Sequence, residues 1–252
     1  MFGFGLCKIT IWSNMEHAME EILKKAEETA QSQSYDAAAR SLAPWRKAAC
    51  EAIKDDISKL GDLLAIVSTQ MHYLNKSGAP DKAASVAEWF LHAFHHIEED
   101  MPGDESRLLK RTFAESFASF FMRYATALRD LERFDDMQAA VRTSLDMTRF
   151  LPASVTAMLN VYAPMHKRET IGDESASEYL LKRYAEMLAM LDFAGLHNHA
   201  VRAALDEYQY ALRGHVDEAR TSLESICQNA PDDVLAATIW NLFSLNFPYK
   251  SN

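Results

Sequence analysis

The clearest signal for the fold lies in residues 210–233, YALRGHVDEARTSLESICQNAPDD. Gly214 fits a tight turn, because glycine adopts a positive φ without a steric penalty. Asp217 follows three positions later, where a carboxylate meets the free N–H groups and the positive dipole end of a new helix. Ala219 is small enough for two helices to approach closely, and Pro231 suits the first turn of a further helix. The stretch therefore predicts two short helices that turn at Gly214, followed by a third helix.

The same kind of helix start recurs along the chain. Each copy has an apolar or ring residue, an aspartate, any residue and then Ala or Met, and the copies are YDAAARSL at Tyr35, PDKAASVA at Pro80, FDDMQAAV at Phe134 and VDEARTSL at Val216. The aspartates Asp36, Asp81, Asp135 and Asp217 are 45, 54 and 82 residues apart. The last interval has room for one degenerate unit, around IGDESASEYL. These copies predict a chain built from repeated helix pairs.

The last copy resembles the tetratricopeptide repeat, which places an aromatic residue, glycine, alanine, a large residue, a small residue and proline at fixed offsets. The corresponding residues are Tyr210, Gly214, Ala219, Leu223 and Pro231, with Ile226 in place of the small residue. The copy at Pro80 keeps Gly78, Ala83 and Ala87 but has Phe90 where a small residue is usual. The tryptophan of the family pattern is absent, and the intervals between copies exceed the usual repeat length.

The resemblance extends over roughly residues 15–246. It implies an all-α fold, a right-handed α-solenoid of about five antiparallel helix pairs. The helix after Pro231, with Leu235, Ile239, Trp240 and Phe243, resembles the capping helix of such arrays.

Apolar residues spaced three and four apart predict about eleven helices and no core strand. Residues 1–14 are predicted as an extension, in which LCKITIW is a candidate extended segment and Met15 an alternative translation start. Residues 247–252 are predicted as a tail, and the loop at 100–105 as a possible hinge. The predicted helices are 14–31, one from Tyr35 that Pro44 kinks or divides, 56–76, one from Pro80 to the loop EEDMPGDES, 106–132, 134–150, 152–166, 173–191, 197–213, 216–228 and 232–245.

Composition limits the class of partner. The 252 residues carry 26 basic and 36 acidic side chains, a net charge of -10, which repels a phosphate backbone and argues against nucleic acid. No run approaches the roughly 20 apolar residues that span a bilayer, so no membrane is predicted. Cys7, Cys50 and Cys227 are widely spaced and odd in number, which favours a reducing cytoplasm.

The resemblance also implies a function, that of a non-catalytic adaptor or scaffold that binds a peptide or helix of a partner protein in a concave groove. The first helices of the repeat family line that groove. The positions carried over are Ser68, His72, Asn75, Ser119, Met122, Thr126, Arg129 and Tyr208. Truncating Arg129 or Tyr208 is then expected to weaken partner binding and to leave stability nearly unchanged. We expect no catalytic residues and no cofactor.

Two alternatives remain from the sequence. His92 and His96 stand four apart on one helical face and Glu99 follows, a pattern that suits a metal ion and would indicate a metal-binding protein or enzyme. The segment lacks the glutamate that zincin helices place between their histidines, so no bound metal is predicted. The other alternative is a sensor whose groove holds a small ligand.

Overall fold

A computed structural model describes residues 5–148, 152–193, 195, 199–232 and 234–248. Helices dominate these residues, which confirms the all-α class. Short 3₁₀ turns cover Ile57–Lys59 and Ala163–Lys167. The α-helices are α1 (Gly5–Ser32), α2 (Tyr35–Asp55), α3 (Leu60–Lys76), α4 (Pro80–Glu99), α5 (Gly103–Thr112), α6 (Ala114–Asp130), α7 (Phe134–Met147), α8 (Pro152–Tyr162), α9 (Ala176–Phe193), α10 (Ala200–Leu212), α11 (Val216–Asn229) and α12 (Val234–Asn246).

The chain divides into two compact units, Met1–Arg133 and Phe134–Asn252. The division does not fall at the predicted hinge. Residues 100–105 lie within the first unit, where α4 and α6 on either side of them pack together. The predicted helix ends at Phe150 and His197 lie outside the described residues, as do residues 1–4 and 249–252.

In the first unit α3 is the central helix, since it packs against α1, α2, α4 and α6. Its sequence explains that position, because ten of its seventeen residues are buried. An aromatic cluster joins α4 to α6, with Phe90 and Phe120 ring centroids 4.8 Å apart and Phe94 and Phe117 5.2 Å apart. The first unit therefore has a continuous apolar core around α3.

The turns that precede three of the repeated helix starts share one backbone geometry. The residues with positive φ are Gly78 (73°), Glu132 (60°) and Gly214 (102°), and the residue after each donates its N–H to a carbonyl five positions back. This bond and the left-handed residue are the marks of a Schellman helix end. The repeated turn that the sequence predicts at Gly214 is thus present in all three places, with glutamate replacing glycine once.

One sequence prediction about the first helices is wrong, and of the two effects predicted for Pro44, a kink or a division, the division does not occur. The segment LCKITIW is helical, since α1 begins at Gly5 and no Gly or Pro interrupts it before Ser32. Pro44 neither divides nor ends α2, which continues from Tyr35 to Asp55. Buried residues on both sides of the proline, Leu42 and Ile53, anchor the two halves of α2 in the same core.

The predicted helix 106–132 is divided in two. Phe113, at φ -106° and ψ 24°, separates α5 from α6. Its ring lies against Gly61 of α3, where an added Cβ would come within 2.8 Å of the Phe113 Cε1 atom. The break between α5 and α6 thus coincides with a contact between residues that are distant in sequence. Helical periodicity, which is a local signal, does not predict it.

The second unit contains α7 to α12 and a two-stranded antiparallel ladder, β1 (Thr170–Ile171) and β2 (Glu174–Ser175). Gly172, at φ 59°, forms the turn between the strands. The predicted helix at 173–191 therefore begins later, at Ala176. The strands are too short to form a core sheet. Helix α10 packs against α9, α11 and α12, and its buried residues include Val201, Leu205 and Tyr208.

Candidate functional site

Two stripes of incompletely buried residues follow α3 and α6 in the first unit. On each helix the stripe residues are three or four positions apart, the spacing of one helical face. They are Ala65, Thr69, His72 and Lys76 on α3, and Ser116, Ser119, Arg123, Thr126 and Asp130 on α6. We refer to Thr69, His72, Lys76, Ser119, Arg123 and Thr126 as the α3–α6 surface.

The two stripes meet near the end of α3. Asn75 donates a hydrogen bond from Nδ2 to the backbone carbonyl oxygen of Arg123 over 3.0 Å, which fixes α3 against α6. Partial burial lowers the pKa of the His72 imidazole, and the positive charges of Arg123 and Lys76 lower it further. His72 is therefore neutral at pH 7, and it lies within electrostatic reach of two cations.

Arg123 is the most unusual residue of the α3–α6 surface. Its side chain is half-buried, and its Nε–H is buried without a hydrogen-bond acceptor among the described residues. Burial lowers the pKa of Arg123, an effect that the nearby Tyr73 hydroxyl partly offsets. Among the described residues no carboxylate forms an ion pair with this guanidinium, whereas Arg133 pairs with Glu88 at 2.7 Å. Arg123 thus carries a partly desolvated charge that these residues do not neutralise.

The structure separates the predicted groove residues into two groups. His72, Ser119 and Thr126 lie on the α3–α6 surface. Thr126 also donates its hydroxyl to the Met122 carbonyl oxygen over 3.0 Å. The other predicted positions differ from the expectation: Ser68 and Met122 are buried at 7% and 8% exposure, Asn75 is half-buried and bonded to α6, and Arg129 pairs with Asp130 at 2.7 Å.

Tyr208 is wrong as a groove residue. It lies in the second unit and is only 1% exposed. Its hydroxyl accepts a hydrogen bond from Asn246 Nδ2, and its ring lies among the rings of His166, Tyr184, Phe243 and Phe247. A side chain so enclosed cannot contact a partner at the surface. Its truncation is therefore expected to change stability, contrary to the sequence expectation.

Sequence reasoning missed Arg123. It stands four positions after Ser119 and three before Thr126, so helical spacing alone places it between two predicted surface residues. The carried-over repeat pattern selected Met122 instead, one position away and on the buried side of α6. The sequence does not show that the Arg123 Nε–H lacks an acceptor, because this depends on which side chains of α3 pack against α6.

A cleft of about 830 Å³ lies between the C-terminal ends of α2 and α4. Apolar side chains and titratable groups both line it, among them Cys50, Ile53, His92, Ile97 and His96. Burial raises the pKa of the Cys50 thiol, with a smaller contribution from Glu51, so the thiol is protonated at neutral pH. A protonated thiol is a poor nucleophile and a poor metal ligand.

The structure brings His92, His96 and Glu99 together at the exposed end of α4. The Nε2 atoms of His92 and His96 are 3.3 Å apart, and Nδ1 of His96 lies 3.0 Å from a Glu99 carboxylate oxygen. Glu99 also approaches His95 at 3.4 Å. Across the described part of the chain, no three His, Cys, Asp or Glu side chains form a group that could hold a metal ion.

A third cluster surrounds His166 in the second unit. The ring nitrogen Nε2 of His166 lies 2.8 Å from the Tyr184 hydroxyl, and Tyr208 and Phe247 are ring neighbours. Burial lowers the pKa of His166 to about 4. Burial also keeps the pKa of Tyr184 well above its usual value. The neutral imidazole is half-buried and belongs to an aromatic cluster.

Comparison of the chain with models of known protein families, with curated proteins and with solved structures finds no match. Among the helices described, none is long and apolar enough to cross a membrane.

Proposed function

We propose that this protein is a non-catalytic adaptor or scaffold, and that the α3–α6 surface of its first unit binds a segment of a partner protein. The proposal includes the tetratricopeptide-like α-solenoid that the sequence resemblance implies. It also includes a cytoplasmic location, which the spacing and odd number of cysteines favour. Peptide binding on a face shared by successive helix pairs is a common use of such arrays.

The observation that carries the proposal is the half-buried, unneutralised Arg123 in the middle of the α3–α6 surface. Buried polar groups in folded proteins nearly always have a partner, and a specific exception calls for an explanation. A group supplied by another molecule would explain this one. The surrounding residues suit contact with a partner, because Ser119 and Lys76 are exposed while His72 and Thr126 are half-exposed.

The packing of the first unit supports the same proposal. Helix α3 contacts both α1 and α6 in addition to its sequence neighbours α2 and α4. Two helices that are not its sequence neighbours, α1 and α6, are therefore in contact with α3. In the proposal these three helices form the binding layer, and α2 and α4 support it.

Steric blocking tests the proposal. The full-length protein, the Ser119→Trp variant and the Ser85→Trp variant would each be used to capture partners for mass spectrometry. Both serines are exposed, but Ser119 is on the α3–α6 surface and Ser85 is on α4. We expect Ser119→Trp to lose partners that the wild type and Ser85→Trp both retain. Equal capture by all three proteins would contradict the proposal.

A metal-binding protein or enzyme centred on His92, His96 and Glu99 is the second candidate. The observation in its favour is the 3.3 Å distance between the two Nε2 atoms, which lets one metal ion contact both imidazoles. Glu99 beside Nδ1 of His96 would then orient that ring, as second-shell carboxylates do. Elemental analysis separates the candidates: one zinc or iron per chain, lost in the double variant His92→Ala with His96→Ala, would favour the metal site. We expect none.

A further inference from the structure

The unneutralised charge of Arg123 also bears on the chemistry of the partner, an inference that rests on the proposed function. Nε of Arg123 has no acceptor, and the described residues provide no carboxylate for the guanidinium. A carboxylate matches the planar donor fork of arginine and can bind two of its N–H groups at once. A carboxylate from a partner would neutralise the charge of the Arg123 guanidinium, which is already partly removed from water in the folded protein.

The neighbours of Arg123 add to the attraction for an anion. Lys76 is exposed, and its charge and that of Arg123 both act on His72. A hydrogen-bonding hydroxyl of Ser119 lies one helical turn from Arg123 on the same stripe. Tyr73 and the half-exposed Tyr35 stack with ring centroids 6.1 Å apart beside this region. The surface thus combines two cations and a neutral imidazole, and the two aromatic rings lie beside it.

Acidic groups also lie near this surface and limit the charge that it accepts. Glu27 acts on the neighbouring Tyr73, and Asp130 lies on the same stripe of α6. The whole chain has a net charge of -10. The partly buried charge that the described residues leave unneutralised at this surface is that of Arg123, so a single carboxylate of one charge matches it more closely than a phosphate of nearly two charges.

We propose that the α3–α6 surface recognises an acidic segment of a partner protein, and that Arg123 binds a glutamate or aspartate side-chain carboxylate of that segment. Lys76 lies beside this contact and attracts the remaining negative charge of the segment. A bound carboxylate should raise the pKa of His72, because its negative charge opposes the positive charges of Arg123 and Lys76 that contribute to lowering that pKa.

A blocked hexaglutamate peptide is a direct probe. Binding to the full-length protein would be followed by nuclear magnetic resonance of the Arg123 Nε–H and the His72 ring at low ionic strength. We expect the peptide to shift both signals and to raise the pKa of His72. Arg123→Gln should weaken binding about tenfold, because the variant loses the charge and the planar donor fork that bind a carboxylate. Arg123→Lys should retain part of the binding.

Controls isolate the site and the ligand class. Arg111→Gln removes an equal charge from the exposed face of α5 and should bind the peptide as the wild type does. Lys76→Gln, at an exposed position, should weaken binding two- to threefold, and it serves as a second variant if Arg123→Gln does not fold. A blocked hexaglutamine peptide should not bind, and inorganic phosphate should bind more weakly than hexaglutamate.

The outcomes also separate this inference from the proposed function. Equal binding to Arg123→Gln and Arg111→Gln, or tighter binding of phosphate, would overturn the carboxylate assignment. If Ser119→Trp still blocks a partner in that case, the binding surface stands and only the ligand class is wrong. If Ser119→Trp has no effect either, both proposals fail.

Discussion

Tyr208 shows at the scale of one residue how burial decides the effect of a substitution. Because Tyr208 is 1% exposed and surrounded by rings, Tyr208→Ala should leave a large cavity. We expect it to lower the free energy of unfolding by about 3 to 5 kcal/mol, as large aromatic truncations do. Denaturant unfolding measures the change.

Tyr210 provides the matched control, two residues away on α10. It is 37% exposed and stacks on His215 with ring centroids 4.2 Å apart. We expect Tyr210→Ala to lower the free energy of unfolding by less than about 1 kcal/mol, as for most surface changes. Equal effects of the two substitutions would show that the face of α10 is assigned wrongly.

His166 predicts a dependence of stability on pH. Its pKa is about 4 in the folded protein, because burial disfavours the charged ring, and 6.5 is the ordinary value. Between these two pH values the unfolded chain binds a proton at His166 that the folded chain does not. The free energy of unfolding is therefore highest above pH 6.5 and decreases as the pH falls toward 4. The loss is up to about 3 kcal/mol.

Comparing the wild type with His166→Gln isolates this effect from the titration of other groups. Glutamine can still pair with the Tyr184 hydroxyl but does not titrate. The free energy of unfolding should fall more steeply between pH 6.5 and 4 in the wild type than in the variant. Parallel curves for the two proteins would exclude His166 as the source.

At the scale of the element, Gly214 tests the repeated turn. Its φ of 102° is one that residues with a Cβ rarely adopt, and an added Cβ would meet no atom within 4 Å. Gly214→Ala should therefore lower the free energy of unfolding by about 1 kcal/mol through backbone strain alone. Gly103→Ala is the control, since its surroundings are equally open and it has no positive φ. A thermal melt that shifts equally for both variants would count against the turn.

Ala219 tests the contact between α10 and α11. It is fully buried, so Ala219→Leu should overpack the interface and lower the free energy of unfolding by about 1 to 3 kcal/mol. Ala237 is exposed on α12, and Ala237→Leu adds the same atoms in solvent. We expect the melting temperature to fall in the first variant only. An unchanged Ala219→Leu melt would mean that this residue does not face α10.

The helices were largely predictable because their signals are local. Helical spacing, Pro80 and Gly214 place the starts and ends of most helices within a few residues of those observed. The break at Phe113 was not predictable, since it coincides with a ring that packs against Gly61, more than fifty residues away. The same limit applies to the site: spacing identifies Ser119 and Thr126 as neighbours on one face, but only the fold shows that Nε of Arg123, between them, is buried without an acceptor among the described residues.

In the whole molecule, the predictions for binding and for stability fall in different units. The first unit contains the α3–α6 surface, and the second unit contains the aromatic core around His166 and Tyr208. The stability predictions for Tyr208, His166, Gly214 and Ala219 therefore concern the second unit. Substitutions on the α3–α6 surface should change partner binding in the first unit with little effect on stability.

Site-specific photo-crosslinking tests the central claim most directly. A photoreactive amino acid would replace Ser119 in one full-length protein and Ser85, which is also exposed, in another. We expect Ser119 to crosslink to a partner segment rich in glutamate or aspartate, Arg123→Gln to reduce the yield of this product, and Ser85 to give none. Crosslinking at Ser85 alone, or equal crosslinking at both positions, would contradict the assignment of the α3–α6 surface as the binding face.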